Sequence, residues 1–573
     1  MVRFNKITLV FAFLFLFTGM AGAEKMRIMP VSEIKTGMRG YGLSVFKGVE
    51  IEKFDIEVVS VMRNKEPKLD AILIRCFGPV VEHANIIAGM SGSPIFIDDK
   101  LIGALAFGWG FSMDPIAGVT PVENMIDDAD RPLETAFDFN SKIYYADSVL
   151  KPVQTPMFVS GFSPDSMKIL QDAFAGYGIV PMQAAGTSNS NDPELQNISL
   201  EPGSAIGFQL IRGDMEATAV GTVTYVDGNK VVAFGHPFFN GGEISLPMTT
   251  AYVHTVLANN NMSFKIASAV KDVGASQQDR NTCITGIMGN KARMFPVTVK
   301  MSVPASEFKR EYRMEVVDHP SLTVSLVYSV AASVFESVDK SMTKSVINYG
   351  YKINLKNHEK PLVLNGSYTL YAGTDLDPRA LLGTLNALNR NPFAQVEIES
   401  IEMDFTVKHT DTPVMVIKDA WLSQNEIVAG QKAKIKVVFK PEREDNEITE
   451  EFEFDVPDYL KKDDKIFIAV SNGQMAAPET APATNVNEFL DNLNKYYMST
   501  EIVLDANLPG KNVLRMKGSN LPDLPNTVLA LWQPNTENEF TFDQKRIRLT
   551  RKTGYLVAGS KQLVLKVKQG REQ

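Results

Sequence analysis

From Met26 to about Asp130 the chain alternates apolar and polar positions in short runs separated by turn residues. Ile51 to Val61 alternates and then runs apolar, Ala71 to Ile74 is an apolar run of strand length, and Ile95 to Ile97 and Leu101 to Phe107 flank Asp98-Asp99-Lys100. Successive side chains of a strand point to opposite faces, so these patterns predict short strands joined by tight turns, as in a small barrel. Asn189 to Leu195 is polar and turn-rich and predicts a loop or boundary. From Glu201 to about Val303 the strand pattern returns, with Ala217 to Val226 and Lys230 to Phe234 joined by Asp227-Gly228-Asn229. A second β lobe is expected to follow the first.

The period then changes. Ser325 to Ser341 has helical spacing, and Pro378 to Asn389, after the capping candidate Asp377, predicts an amphipathic helix. From about Thr412 alternation resumes, as in Ala433 to Phe439 and Glu450 to Val456, which predicts an antiparallel sandwich. Asn485 to Tyr497 predicts a short helix before a last strand group ending at Gln562 to Val567. The expected division is a leader over 1–23, a first lobe over 24–187, a second over 188–303, an α+β middle region over 304–411 and a β-sandwich region over 412–573.

The leader rests on the basic start Arg3 and Lys6, the apolar run Ile7 to Phe17, and Ala21-Gly22-Ala23 before Glu24. This is the form of a secretory signal peptide cleaved after Ala23, its apolar core being short for a membrane span. A periplasmic or extracellular protein is expected, with no transmembrane segment after cleavage. At 573 residues and 44% hydrophobic composition the chain can bury several cores. A net charge of −9 and the lack of any basic run interleaved with aromatics argue against nucleic acid as a partner. Cys76 and Cys283 are the only cysteines, which excludes a disulfide scaffold and leaves either one bridge or two free thiols.

Candidate chemistry begins at Gly89-Met90-Ser91-Gly92-Ser93-Pro94-Ile95. A nucleophilic serine with an exposed oxygen needs a tight turn, and Gly89 and Gly92 tolerate backbone angles that residues with a Cβ avoid. The same turn can aim the amides of Gly89 and Ser91 at one point as an oxyanion hole. The same residues also make ordinary hairpin turns. An activated serine needs a base, and the chain offers His83, His236, His254, His319, His358 and His409. His236, in Ala-Phe-Gly-His-Pro-Phe after a strand, sits where glycine and proline fix a turn; His83 is the rival, in the predicted loop Pro79 to Ala84. No two histidines stand at metal-binding helical spacing, and no phosphate or dinucleotide loop occurs, so no metal or cofactor is expected.

The blocks Ile51 to Ser60, Ile87 to Ile95, Leu101-Ile102-Gly103-Ala104 and Asp114-Pro115 with Gly118 resemble the SpoIVB peptidase family. Gly221-Thr222-Val223-Thr224-Tyr225 with Val232 to His236 is similar to the segment carrying the family's histidine, and Gln278 to Thr282 through Gly286 is a weaker third match. The resemblance implies a mainly β fold with a two-lobed chymotrypsin-like β-barrel peptidase domain. It makes Ser91 the nucleophile and His236 its base. The sequence departs from the family pattern in order, the serine block preceding the histidine block, and in lacking a recognisable PDZ domain. It departs again at the acid, where the family position falls on Cys76, and a thiol cannot stabilise an imidazolium as a carboxylate does. Asp70, Glu82 and Asp279 are the candidate third members, with Asp114 a further carboxylate in the same blocks. The expected function is a secreted serine endopeptidase, self-processing or acting on a protein or peptide substrate. The alternatives are a catalytically weakened peptide-binding module or an envelope scaffold whose carboxy-terminal region engages a partner.

Overall fold

The computed structural model describes residues 26–67, 69–133, 150–184, 193–337, 345–369, 379–409, 414–441, 446–509, 511–516, 519–522, 538–543 and 546–568. The leader, the start of the Asn189 to Leu195 boundary and Asp377 lie outside them. The protein is 53% strand and 15% helix, so the mainly β class holds.

Six strands, Arg39–Val45, Ile51–Glu66, Leu69–Phe77, Pro94–Ile97, Lys100–Gly108 and Ile116–Pro121, pair antiparallel in a closed circuit. Pro94–Ile97 closes it by pairing with Arg39–Val45 on one edge and Lys100–Gly108 on the other. Closure leaves no open edge, and inward positions such as Ile56, Val58, Ile72, Ile74 and Cys76 fill the interior. The predicted turn is a two-residue hairpin loop in which Asp98 and Asp99 both have positive φ, at 51° and 54°. Pro79 to Ala84, predicted as a loop, is a short helix with Pro79 in its first turn and with Val81 and Ala84, three apart, buried on one face.

A second circuit of six antiparallel strands follows. Glu216–Asp227, Lys230–Ala233, Cys283–Met288, Ser263–Arg280, Pro247–Leu257 and Ala205–Gly213 pair in that order, and the last returns to the first. Thr155–Ser160 pairs with Glu216–Asp227, and beyond Ala205–Gly213 the sheet runs on through Phe308–Val317, Met294–Val303, Ile398–His409, Ser345–Leu355 and Leu362–Thr369. The two expected middle helices are Thr323–Glu336 and Arg379–Asn389, and their buried faces share one core with this sheet.

In the carboxy-terminal region a four-stranded and a five-stranded sheet pack around Met415, Ile435, Phe439, Ile468 and Leu504, and Lys511–Met516, Ser519–Pro522 and Asn538–Asp543 form a separate three-stranded sheet. The excursion from Gly473 to Ser499, with helix Val486–Leu493, leaves the sandwich and joins the middle region. Leu490 enters the middle core, Asn494 accepts the Val363 amide at 2.8 Å, and the Ser499 hydroxyl donates to the Ser367 carbonyl. The two barrels meet at the short strand Ile87–Ala88, which pairs parallel with Ser263 and Phe264 of the second barrel just before the serine turn.

Candidate active site at the barrel interface

The serine turn is clamped from the second barrel. Thr222 Oγ1 donates to the Gly89 carbonyl and Thr224 Oγ1 to the Gly92 carbonyl, both at 2.8 Å, and the Thr222 amide donates to the Ser91 carbonyl at 2.8 Å. Leu105 of the first barrel takes the Gly92 amide and donates to the Ser93 carbonyl. So close an approach needs the glycine: Gly92 has φ +97°, and a Cβ there would sit 2.0 Å from the Thr222 carbonyl oxygen. Ser91 is fully buried, and its hydroxyl donates to the Phe234 carbonyl at 2.6 Å.

Phe234 and Gly235 both lie in the left-handed region, at φ 75° and 68°. For a phenylalanine that conformation is strained, and it turns successive carbonyls toward the first barrel. The Phe234 carbonyl meets Ser91 and the Gly235 carbonyl accepts from Thr120 Oγ1 at 2.6 Å. His236 follows, buried, with Nδ1 2.9 Å from the Pro237 carbonyl and Nε2 without a hydrogen-bond partner. A carbonyl can only accept, so the Pro237 contact suits a proton on Nδ1, and the Val153 carbonyl also draws on the ring. Burial pulls the imidazole down to about 4, against the opposing pull of the Pro237 and Val153 carbonyls, so the ring is neutral at pH 7. Ser91 and His236 are thus on facing segments without a hydrogen bond between them.

Asp279 is fully buried on Ser263–Arg280 and holds the histidine loop from behind. Its two oxygens accept the amides of Phe238 at 2.9 Å and Phe239 at 2.6 Å. Burial raises its carboxyl to about 6, although the amides of residues 238 to 241 favour the charged form. It grips the backbone of the loop, while the ring nitrogen goes to Pro237.

The other candidates lie apart. Asp70 pairs with Arg63 at 2.6 Å beside a hairpin end, where the Asn64 amide and Arg63 hold its carboxyl below the usual range. Glu82 and His83 are exposed on helix Pro79–Ala84, and Asp114 pairs with Arg75 at 3.0 Å. Cys76 and Cys283 are both free and buried, in separate cores. Burial pushes the Cys76 thiol up to about 12, so the family's acid position carries a neutral group in an apolar interior.

Sequence reasoning did not single out the residues that hold the turn. Thr222, Thr224 and Ser93 sit inside the motif blocks without being marked out in them, but Lys265 and Ser44 had no local signal. Lys265 is fully buried, its stem passes under Gly89, and Nζ lies 2.9 Å from Ser44 Oγ and 3.4 Å from Thr222 Oγ1. Ser93 Oγ donates to Ser44 Oγ at 3.0 Å. Beside the turn a cleft of about 1510 Å³ opens between the barrels, with Ala88 and Val153 in its wall. Ile86, Trp109, Phe111, Met113, Asn259 and Asn261 are among the residues lining it, with Phe111 75% and Met113 99% exposed.

Residues 16–126 match the family described as SpoIVB peptidase S55. That match takes in the whole first barrel and the Ser91 turn, and it ends before Thr222, His236 and Asp279. No curated protein and no solved structure matches the chain. The SpoIVB peptidase likeness therefore covers the Ser91 side of the interface and stops short of the His236 side.

Proposed function

We propose that the protein is an exported serine endopeptidase of the SpoIVB type, with Ser91 as nucleophile and His236 as base. The observation that carries this reading is the buried His236 imidazole on the loop whose Phe234 carbonyl takes the Ser91 hydroxyl. Rotation of the Ser91 side chain away from Phe234 frees the hydroxyl for the imidazole carried on the same loop. His236 removes the proton, Ser91 Oγ attacks the scissile carbonyl, and the amides of Gly89 and Ser91 hold the oxyanion. His236 then returns the proton to the leaving amine. The Pro237 carbonyl fixes the tautomer, as an aspartate does in other triads, but supplies no negative charge for the imidazolium. Disabling the triad carboxylate of a serine protease lowers turnover by about 10⁴, part of it through the wrong tautomer, so slow turnover is expected here. A peptide with apolar side chains would lie in the cleft against Phe111 and Met113, with the asparagine amides of Asn259 and Asn261 meeting its backbone.

The buried, carbonyl-bound state of Ser91 and the neutral thiol at Cys76 favour a second reading, a peptide-binding module without turnover. Mass spectrometry of the mature protein beside Ser91→Ala, incubated alone and with a mixed peptide library, separates the two. Fragments made only by the wild type support the peptidase, self-cleavage being seen in the protein incubated alone. Identical spectra from two folded proteins support the binding module. The intact mass reports export as well, because signal cleavage gives a chain beginning at Glu24.

A further inference from the structure

Lys265 is a fully buried lysine with no carboxylate beside it, at the meeting point of the two barrels. A buried ammonium without a counter-charge is costly, so its surroundings must suit the uncharged amine or be arranged to tolerate the charge. Burial brings the group down to about 7 and is its only resolved cause. The elements packed around it are Arg39–Val45, the serine turn, Glu216–Asp227 and Pro247–Leu257. Their titratable side chains are Arg39, Tyr41, Glu216, Tyr225, Asp227, Tyr252 and His254, and none enters as a charge on Lys265. What faces Nζ is the Ser44 hydroxyl, the Thr222 hydroxyl and, at 6.0 Å, the Phe46 ring.

The hydrogen-bond count separates the two charge states. With a neutral amine, Ser93 donates to Ser44, Ser44 donates to the nitrogen lone pair, an N–H of Lys265 donates to Thr222, and Thr222 donates to the Gly89 carbonyl. Ser44 and Thr222 in that series each donate once and accept once. With an ammonium there is no lone pair, and the Ser44 hydrogen loses its acceptor while the nitrogen gains a third hydrogen to satisfy. We propose that Lys265, as the uncharged amine, is a positioning residue that completes a one-directional hydrogen-bond chain from Ser93 to Gly89 and so fixes the Ser91 turn between the barrels. The proposal rests on the Ser91 reading for its catalytic meaning, but the chain and its proton linkage stand on the geometry alone.

The test is amide hydrogen exchange of the segment 87–96 between pH 7 and 10, corrected for intrinsic rates, in the wild type and Lys265→Met. Opening the turn to water returns Lys265 to its ordinary value of 10.5, so the open form binds the proton more tightly than the closed form. Protection should fall about tenfold per unit as pH drops from 10 toward 7 and level off below, a slope that Lys265→Met should lose. Flat protection in the wild type, or the same slope in the variant, overturns the proposal. Thr222→Val and Thr222→Ser, read at a fixed pH, keep the question open to measurement where Lys265→Met does not fold. Exchange should quicken with valine and recover with serine, and no difference between the two overturns the role of the hydroxyl. Labelling of Ser91 by a fluorophosphonate, mapped by mass spectrometry, is read in parallel. A wild type that is never labelled removes the peptidase reading and leaves the exchange result to judge Lys265. A labelled wild type with labelling equally fast in Thr222→Val removes the positioning role.

Discussion

At the scale of single residues, the site is governed by groups that burial holds near or away from charge. Asp279 is the clearest case, since its ordinary value of 3.8 is raised to about 6 in the fold. An acid with a raised folded value gives up its proton sooner in the unfolded chain, so the fold is favoured at low pH. The stability that Asp279 contributes should decline from about pH 4 to pH 6 and stay level above, and Asp279→Asn should lack that slope, as read from urea midpoints across this range. Asp279→Ala leaves the buried amides of Phe238 and Phe239 without acceptors and should cost about 2 kcal/mol or more at any pH. Asp279 was named from the sequence by its place in a block, but what it touches was not legible there. The block gives no sign that the carboxylate would turn to the backbone of residues 238 to 241. Lys265 was invisible for a different reason: in Ser263-Phe264-Lys265-Ile266 it occupies a polar place in an alternating strand, which reads as a solvent face until the first barrel covers it.

At the scale of elements, the strand and helix periods carried most of the information. The helix expected over Ser325 to Ser341 is Thr323–Glu336, and the hairpin around Asp98-Asp99 lies where its turn residues put it. The strand expected to end at Val61 runs on to Glu66, because Met62 and Glu66 still pair with Ala71 and Leu69 across a register shift at Asn64. The polar run Arg63-Asn64-Lys65-Glu66 hides this extension, since two exposed hairpin arms need no apolar alternation. The serine turn depends on contact between elements as much as on its own residues. In Gly92→Ala a methyl group meets the Thr222 carbonyl and the φ of +97° becomes strained, so the turn must move away from Thr222 and Thr224. A loss of about 2 kcal/mol or more in chemical denaturation is expected, with exchange at the Thr222 amide rising alongside. Stability within a few tenths of the wild type would mean that the clamp is looser than its distances indicate.

At the scale of the whole molecule, the sandwich reaches back to the middle region through the excursion from Gly473 to Ser499. A chain cut after about residue 412 loses Leu490 from the middle core and the partners of Val363, Asn365 and Ser367 on the strand Leu362–Thr369. With two or more hydrogen bonds removed at about 1 kcal/mol each, exchange along Leu362–Thr369 should quicken tenfold or more while the strands of the first barrel stay protected. Equal protection throughout would show that the excursion rests on the middle sheet without supporting it. No helix among the described residues is long and apolar enough to cross a membrane.

The distance along the chain between the two halves of the site has a consequence for the order in which the protein comes into being. Ser91 precedes Phe234, whose carbonyl takes its hydroxyl, by 143 residues. During synthesis the first barrel can close as soon as Pro121 is out, and for a long stretch of translation its serine turn has neither the threonines that clamp it nor the histidine beside it. A chain of that length carries the serine turn without its clamp, and assembly of the interface waits for the second barrel to fold onto the first. The order of the two halves thus sets the order of assembly: Ser91 is made early, and the segments that hold it arrive last.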